Sequence, residues 1–271
     1  MIAGRAEPHT SEIDSLTIFF KKDGDHYLPQ PHPVFRLQDP SVTKINGEII
    51  LCGIEVEVVT LSRFQQLIQG KKEDRKILFY KTVFYKGDSI ENLTRFAEGP
   101  KGMKDIRLVK LTDGTIGVYA RPQGDNKGGR GQIGFTIIKD LSELSEELIQ
   151  AAPLLSTRFP AKEWGGVNEA IPLPNGRVLA LGHRAYYDNH EVRHYYPWAF
   201  VHDPKTGEVI DLGILAERSD FPEGLSKRTD LADVLFSAGM KLLPNGHILL
   251  KVGMGDAEAG EMERDNPLVR P

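Results

Sequence analysis

One turn motif recurs four times along the chain and constrains the fold more than any other feature. The pairs Asn46-Gly47, Asp113-Gly114, Asn175-Gly176 and Asn245-Gly246 each lie between two runs of alternating apolar residues. Such a pair between alternating runs is a strong sequence signal for a β-hairpin. The pairs recur every ~60–70 residues, a spacing consistent with one four-stranded propeller blade and its loops.

Alternation also dominates the chain between these repeats. Residues 16–28 predict a hairpin about Asp23-Gly24, and residues 76–88 predict a long strand. Helical periodicity is weak, and it predicts short helices only at 61–70 and 142–152. We therefore expect an all-β protein.

Four repeats and the N-terminal hairpin, residues 2–36, together predict a five-bladed β-propeller. No linker rich in Ser, Gly or Pro divides the chain, so we predict one domain over residues 1–271. Its first blade is short, and either the residues after Asp256 complete it or the chain begins inside it. A β-sandwich or barrel is the alternative that similar strands could build.

Composition limits the classes of partner and compartment. With 40% apolar and 27% charged residues, the chain is typical of a globular protein. Its net charge of −4 argues against a nucleic-acid partner, which needs a concentrated basic surface. The single cysteine, Cys52, lies in an apolar strand, so we expect a buried thiol and a reducing cytoplasm. We expect no membrane association, because no apolar run approaches a membrane span and the N-terminus lacks a signal-peptide core.

Three aspartates lie beside predicted inner strands: Asp39, Asp105 and Asp256. A propeller gathers the same edge of every blade around one axis, so these carboxylates could share one pocket. They would suit general acid–base catalysis and the recognition of sugar hydroxyls. The plainer alternative for Asp39 is a turn, because Asp before Pro commonly starts a loop.

Basic residues recur at the ends of the repeats. Arg121 and the pair His183-Arg184 each follow a second strand, and Arg130 lies in the glycine-rich stretch 124–134. Each arginine alone is typical of solvated surface, but together they could form an oxyanion pocket, because the guanidinium fork suits phosphate. Four histidines (His183, His190, His194 and His202) invite a metal interpretation, but no metal site is expected because no ligand motif accompanies them.

Six segments in order resemble the domain-of-unknown-function family numbered 1861. That family is related to the β-mannoside phosphorylases of glycoside hydrolase family 130 and to the β-1,2-mannosyltransferase/phosphorylases of glycosyltransferase family 108. The segments are AGRAEPHTSE, LQDPSVTKINGEIILCGIEV, KDIRLVKLTDGTIGVYARPQG, RGQIGF, FPEGLSKR and DVLFSAGMKLLPNGHILLKVGMGDAEAG. The resemblance implies a five-bladed propeller whose axial pocket binds a mannosyl unit. Family members usually carry residues ahead of AGRAE, so the first blade is expected to be incomplete at the N-terminus.

The resemblance also implies roles in the first part of the chain. Asp39 matches the acidic residue of a Glu-Asp-Pro motif, which acts as general acid in the mannoside phosphorylases. Here Gln38 stands where that motif has Glu, and Ser41 where it often has Arg. Arg5 and Glu7 match an Arg-x-Glu pair that is implied to line the sugar subsite.

Further matches follow in the later repeats. Asp105 matches the Asp of a Lys-Asp pair at the start of a family repeat. Arg121 matches the Arg of a His-Arg-Pro motif at the end of that repeat, with Ala120 in place of the His. Arg121 is thereby implied to bind phosphate. His183 aligns with a His-Gly pair and is expected, with Arg184 and Arg130, to assist Arg121. The remaining sugar-binding residues are expected to be Asn168, Glu169 and Asp256, the last matching the final acid of a Tyr-Gly-Ala-Ala-Asp segment.

The function expected on these grounds is inverting phosphorolysis of β-mannosides, chiefly short β-1,2-linked ones. Orthophosphate would attack the anomeric carbon while Asp39 protonates the glycosidic oxygen, giving α-mannose 1-phosphate. No cofactor is expected apart from phosphate as co-substrate, and copies of the chain are expected to associate. The alternatives are a mannosyltransferase using mannose 1-phosphate or a nucleotide sugar, a hydrolase pairing Asp39 with Asp256 or Glu169, and a non-catalytic sugar-binding propeller.

Overall fold

The computed structural model describes residues 1–11, 13–24, 26–60, 75–124, 129–157 and 159–269. Within these ranges the chain forms 17 strands, one short α-helix and four 3-10 turns. The strands are β1 (Ile2–Ala6), β2 (Leu16–Asp23), β3 (His26–Pro29), β4 (Gln38–Ile45), β5 (Glu48–Thr60), β6 (Arg75–Gly87), β7 (Thr94–Glu98), β8 (Arg107–Lys110), β9 (Ile116–Ala120), β10 (Gly134–Ile138), β11 (Glu163–Pro172), β12 (Val178–Tyr187), β13 (Arg193–His202), β14 (Val209–Ile214), β15 (Asp233–Leu242), β16 (Ile248–Met254) and β17 (Glu258–Arg264). The helical segments are α1 (Glu146–Ala151) and the 3-10 turns Leu141–Glu143, Arg218–Asp220, Thr229–Leu231 and Pro267–Val269.

The chain divides into two compact units, Met1–Lys104 and Asp105–Pro271, which are described separately. The first unit contains an antiparallel sheet in the order β1-β2-β3 and a second in the order β4-β5-β6-β7. Phe19, Leu37, Leu51 and Val83 form its buried core cluster. Cys52 is buried on β5, as its apolar strand predicts.

The second unit contains a three-stranded sheet, β10-β9-β8, and a seven-stranded sheet. The larger sheet runs β11-β12-β13-β15-β16-β17, with β14 paired to β13. Among the residues described, the one parallel pairing in this sheet joins β13 to β15, through His194 with Asp233 and Tyr195 with Val234. The inward faces of these strands pack two apolar clusters, one around Phe200 and one around Leu250. The other strand pairs that the structure describes in this unit are antiparallel, which is the order expected of consecutive hairpins.

All four predicted turns join adjacent antiparallel strands. Asn46 and Gly47 both have positive φ, 53° and 89°, and form the two-residue loop that a tight hairpin requires. The other three turns share one pattern, in which the Asp113, Asn175 or Asn245 side chain accepts a hydrogen bond from the backbone N–H two residues later. A glycine with φ near 87° follows in each, at a position where a side chain would be strained.

The all-β prediction is confirmed. The hairpin at Asp23-Gly24 and the long strand near 76–88 are present as β2–β3 and as β6. The predicted helix at 142–152 is present as α1, where the Ser145 hydroxyl caps the helix by accepting from the Leu148 N–H. The other predicted helix, 61–70, lies outside the described residues. The prediction of one propeller domain over residues 1–271 stays a prediction. Among the residues described, no helix is long and apolar enough to cross a bilayer.

Candidate functional site

The three aspartates singled out from the sequence share an unusual backbone conformation. Asp39, Asp105 and Asp256 have φ values of 47°, 54° and 54°, in the left-handed region. Residues with a Cβ seldom adopt this conformation, because it costs on the order of 1–3 kcal/mol. They keep it only where the surrounding structure enforces it. Asp39 also lies in a β-bulge of β4, a device that redirects a side chain. The local fold therefore fixes these carboxylates in position.

In the first unit, Asp39 belongs to a cluster with Arg5, Glu7 and Ser15. Arg5 Nη1 donates to Asp39 Oδ1 at 2.9 Å, and Arg5 Nη2 donates to Glu7 Oε2 at 2.6 Å. Arg5 Nε lies 3.3 Å from Ser15 Oγ, and the Ser15 hydroxyl donates to Glu7. One guanidinium thus holds the two carboxylates for which the family resemblance implies acid catalysis and sugar binding.

In the second unit, two arginines surround Asp105. Arg121 Nη1 donates to Asp105 Oδ2 at 2.7 Å, and Arg107 Nη2 lies 3.9 Å from Asp105 Oδ1. Asp105 and Arg107 are each 3% exposed and Arg121 is 8% exposed, so the charges lie almost out of water. The three side chains together carry a net positive charge, which is costly when buried unless an anion or further acceptors compensate it. We call these residues, with Asn168 and His183, the arginine cluster.

Asn168 organises the far side of the arginine cluster. It is the extra residue of a β-bulge in β11, its carbonyl accepts from Arg107 Nε at 3.0 Å, and its Oδ1 lies 2.9 Å from His183 Nδ1. The Ser237 hydroxyl lies within hydrogen-bond distance of both Asn168 Oδ1 and the Gly182 carbonyl. His183 Nε2 is directed towards Asp105 Oδ2, 3.8 Å away.

Glycines make room for the arginine cluster. A Cβ at Gly166 would lie 2.9 Å from Asp105 Oδ2 and 3.1 Å from Arg121 Cδ. A Cβ at Gly131, in the glycine-rich stretch, would lie 3.3 Å from Arg121 Cδ. The Gln123 side chain, with its amide oxygen facing Arg121, accepts from Arg121 Nε and Nη2. Gln123 and Gly131 therefore lie directly against the Arg121 side chain.

Two other titratable groups near this cluster have shifted pKa values. Burial raises the pKa of Tyr195, and the positive charge of Arg121 opposes that rise. The Tyr195 ring stacks on His183 with centroids 5.5 Å apart, and its hydroxyl accepts from Trp164 Nε1. Burial also raises the pKa of Glu169, whose carboxyl group accepts a hydrogen bond from the Met240 N–H. Burial thus favours the neutral forms of this phenol and this carboxyl group.

Two of the candidate arginines have other contacts. The Arg184 guanidinium contacts Glu163, because Arg184 and His183 point to opposite faces of β12. The Arg130 guanidinium lies over the rings of Trp164 and Tyr187, at 5.5 and 5.2 Å from their centroids. The roles predicted for both arginines in phosphate binding stay predictions.

Asp256 is exposed in the loop between β16 and β17. The hydrogen bond that Arg228 donates to Asp230 is the main cause that raises the pKa of Arg228, and the negative charge of Asp256 raises it as a lesser cause. The preceding carbonyl, that of Gly255, accepts from the Lys227 N–H at 2.8 Å. Asp256 is thus placed beside the segment FPEGLSKR, and its predicted role in sugar binding is not tested by this placement.

Sequence reasoning missed Arg107, Ser237 and Tyr195. A signal for Arg107 was present, since it lies two residues after Asp105 and residues at that spacing share one side of an extended chain. Tyr195 and Ser237 carried none, because strand pairing alone brings them to the cluster. Among the residues described, no group of three His, Cys, Asp or Glu side chains is arranged to hold a metal ion.

A profile of the family described as "Protein of unknown function (DUF1861)" matches residues 1–270. The chain also resembles the solved structure of MPT-4, a mannose phosphorylase from Leishmania mexicana, in complex with phosphate ion. The two share 34% identity over 98% of this chain and 79% of that one, with a TM-score of 0.85. MPT-1, a GDP-Man-dependent mannosyltransferase from Leishmania mexicana, shares 31% identity over 98% and 80% of the two chains, also with a TM-score of 0.85.

A more distant structural similarity concerns the fold alone. A thermostable family-43 glycoside hydrolase, a β-propeller, covers 97% of this chain at 13% identity with a TM-score of 0.51. A search of curated protein sequences finds no match.

Proposed function

The chain belongs to the DUF1861 family, which is related to mannoside phosphorylases and mannosyltransferases, and from that premise we propose that it is an inverting β-mannoside phosphorylase. It would cleave short β-mannosides, β-1,2-linked ones above all, with orthophosphate and release α-mannose 1-phosphate. The observation that carries the proposal is the buried positive charge of the arginine cluster.

Phosphate is the ligand that this cluster suits best. Two buried guanidinium groups lie beside the Asp105 carboxylate, and the planar guanidinium fork suits the oxygens of a doubly charged oxyanion. Within the described part of the chain, the Nε and Nη2 edge of Arg121 faces the neutral amide of Gln123, which an anion can displace. The resemblance to MPT-4, whose structure contains a phosphate ion, supports this assignment at 34% identity.

Asp39 is the proton donor in this proposal. Phosphate is the nucleophile, so the enzyme needs one acid for the leaving oxygen and no second carboxylate to activate water. Asp39 is fixed by its bulge and by Arg5, and it would deliver its proton to the glycosidic oxygen directly or through a sugar hydroxyl. Glu7 and Arg5 would bind the mannosyl hydroxyls, as the resemblance implies.

The five-bladed propeller is part of the same proposal. The described strands form four sheets, and the seven-stranded one divides at its short parallel β13–β15 pairing into β11–β14 and β15–β17, which gives five consecutive antiparallel groups. That order is what a propeller requires, with one group to each blade. The family-43 glycoside hydrolase supports the class of fold.

A second candidate function is mannosyl transfer from a nucleotide sugar. It is favoured by the similarity to MPT-1, which matches this chain with the same TM-score as MPT-4 does. In that case the arginine cluster would bind the diphosphate of the donor, and free orthophosphate would not be consumed.

Product analysis with and without phosphate tests these alternatives. The full chain is incubated with β-1,2-mannobiose, and mannose 1-phosphate and free mannose are quantified. We expect mannose 1-phosphate only when phosphate is present, and Arg121→Met should weaken phosphate binding by about 10- to 100-fold, the loss of a charged hydrogen-bond donor. Arg177→Met is the control, because Arg177 is half-exposed and pairs with Glu208. Release of mannose without phosphate, or transfer only from GDP-mannose, would overturn the proposal.

A further inference from the structure

Packing fixes the ring of His183 in one place. The side chain is buried on β12, and its ring packs against the rings of Tyr195 and Phe236, with centroids 5.5 and 5.7 Å away. A side chain in such a densely packed site keeps one orientation. Which ring nitrogen carries the proton is then decided by the hydrogen bonds of the ring.

The Asn168 amide oxygen decides the position of that proton. Oδ1 of Asn168 lies 2.9 Å from His183 Nδ1, and an amide oxygen can only accept a hydrogen bond. Nδ1 of His183 therefore carries a proton in this arrangement. In the neutral ring, Nε2 is then left with a lone pair and acts as an acceptor.

Ser237 in turn orients the Asn168 amide. The Ser237 side chain is buried on β15, and its hydroxyl lies 3.0 Å from Asn168 Oδ1 and 2.8 Å from the Gly182 carbonyl. Donation from this hydroxyl to Oδ1 keeps the amide oxygen, rather than the NH2 group, turned towards Ser237 and His183. The Asn168 backbone is fixed as well, because its carbonyl accepts from Arg107 Nε at 3.0 Å.

Nε2 of His183 is directed at the arginine cluster. It lies 3.8 Å from Asp105 Oδ2, the oxygen that also accepts from Arg121 Nη1 at 2.7 Å. A separation of 3.8 Å is too long for a hydrogen bond. Protonation of the ring would add a positive charge close to the buried guanidinium groups of Arg107 and Arg121, and like charges disfavour the charged form. A neutral ring with an accepting Nε2 therefore faces the side chains that are proposed to bind phosphate.

We propose that Asn168 and Ser237 are positioning residues that, through His183, make the arginine cluster selective for an oxyanion that carries a proton. Orthophosphate keeps a proton at neutral pH and can donate it to Nε2 in a hydrogen bond, whereas sulfate has none to donate. A sulfate oxygen beside the Nε2 lone pair would place two acceptors face to face, which costs affinity. This inference rests on the proposed phosphate site and adds to it a discrimination between phosphate and sulfate.

The tautomer is measured directly on the full chain labelled with ¹⁵N-histidine. Two-bond ¹H–¹⁵N correlation spectra distinguish Nδ1–H from Nε2–H rings, and His183→Gln assigns the His183 signals by their loss. We expect the Nδ1–H form in wild type and a mixture of tautomers in Ser237→Ala, where the amide is no longer oriented. Ser145→Ala is the control, because it removes a serine hydroxyl that caps α1 and should leave the His183 signals unchanged. An Nε2–H ring or an imidazolium in wild type would overturn the inference, whether or not the Ser237 variant folds.

Selectivity is measured by titrating sodium phosphate and sodium sulfate into the same proteins at neutral pH and constant ionic strength, after thermal unfolding shows that the variants fold. Wild type should bind phosphate at least about tenfold more tightly than sulfate, the usual effect of one hydrogen bond to a charged group. Ser237→Ala should lower this ratio to about threefold or less, and Ser145→Ala should keep it.

Equal affinity of wild type for the two anions, or an unchanged ratio in Ser237→Ala, would overturn the inference. Phosphate-dependent formation of mannose 1-phosphate in that case would leave the proposed function standing. A wild-type chain that binds neither anion would refute the phosphate site itself, and the inference with it.

Discussion

Replacing Gly166 with alanine probes the arginine cluster with a single methyl group. That methyl would lie 2.9 Å from Asp105 Oδ2, 3.0 Å from Asp105 Cβ and 3.1 Å from Arg121 Cδ, all closer than ordinary van der Waals contact. The buried pair must therefore shift, and overpacking of this kind costs about 1–3 kcal/mol of unfolding free energy. Because the Arg121 guanidinium is then displaced from the position in which it would bind phosphate, we expect kcat/KM for phosphate to fall by about 100-fold.

The assay is phosphate-dependent release of mannose 1-phosphate, with the unfolding free energy measured in urea on the same samples. Gly253→Ala is the matched control, since Gly253 is also a strand glycine and its added Cβ would be 3.8 Å from the Phe236 Cβ, an ordinary contact. The KM for the mannoside should change less than that for phosphate in Gly166→Ala. Wild-type stability and a wild-type phosphate KM in this variant would refute the packing argument.

Two predictions concern pH and stability. Burial lowers the pKa of His202 to about 4 from its ordinary 6.5, so the stabilisation from its neutral form is complete above pH 6.5 and is lost as pH falls towards 4. The full loss of unfolding free energy is about 3 kcal/mol. When urea unfolding is measured from pH 7 to 4.5, the unfolding free energy of His202→Gln should fall less steeply with acid than that of wild type. Equal slopes of unfolding free energy against pH would contradict this prediction. Because burial raises the pKa of Glu169, ionisation of this carboxyl group costs stability as pH rises. The unfolding free energy of Glu169→Gln should therefore increase relative to that of wild type between pH 4 and 8 in the same measurement. An unchanged difference across that range would show that Glu169 ionises freely.

Local signals in the sequence were sufficient for the hairpins. The pairs at Asn46 and Asn175 specify their own turns through positive φ and a side-chain cap, so neighbouring residues decide them without help from the rest of the fold. The same holds for the buried setting of Cys52, which follows from its apolar strand. These are interactions within a few residues, and pattern reasoning detects them.

The candidate site could be predicted only in part. The association of Arg5, Glu7 and Asp39 followed from a resemblance, and the structure brings the three side chains together. Arg184 was grouped with His183 because they are adjacent, yet successive residues on a strand face opposite sides. Tyr195 reaches His183 through the pairing of β12 with β13, a long-range contact that no local pattern specifies.

The role of Asp39 is the claim on which the proposed chemistry depends. Asp39→Asn is compared with wild type for phosphorolysis of β-1,2-mannobiose and of a nitrophenyl β-mannoside, whose leaving group needs no proton. Phosphate binding is measured in parallel by calorimetry. We predict that Asp39→Asn slows mannobiose turnover by about 10²–10⁴-fold, slows the nitrophenyl substrate far less and leaves phosphate binding unchanged. Undiminished turnover of mannobiose by Asp39→Asn would contradict the account.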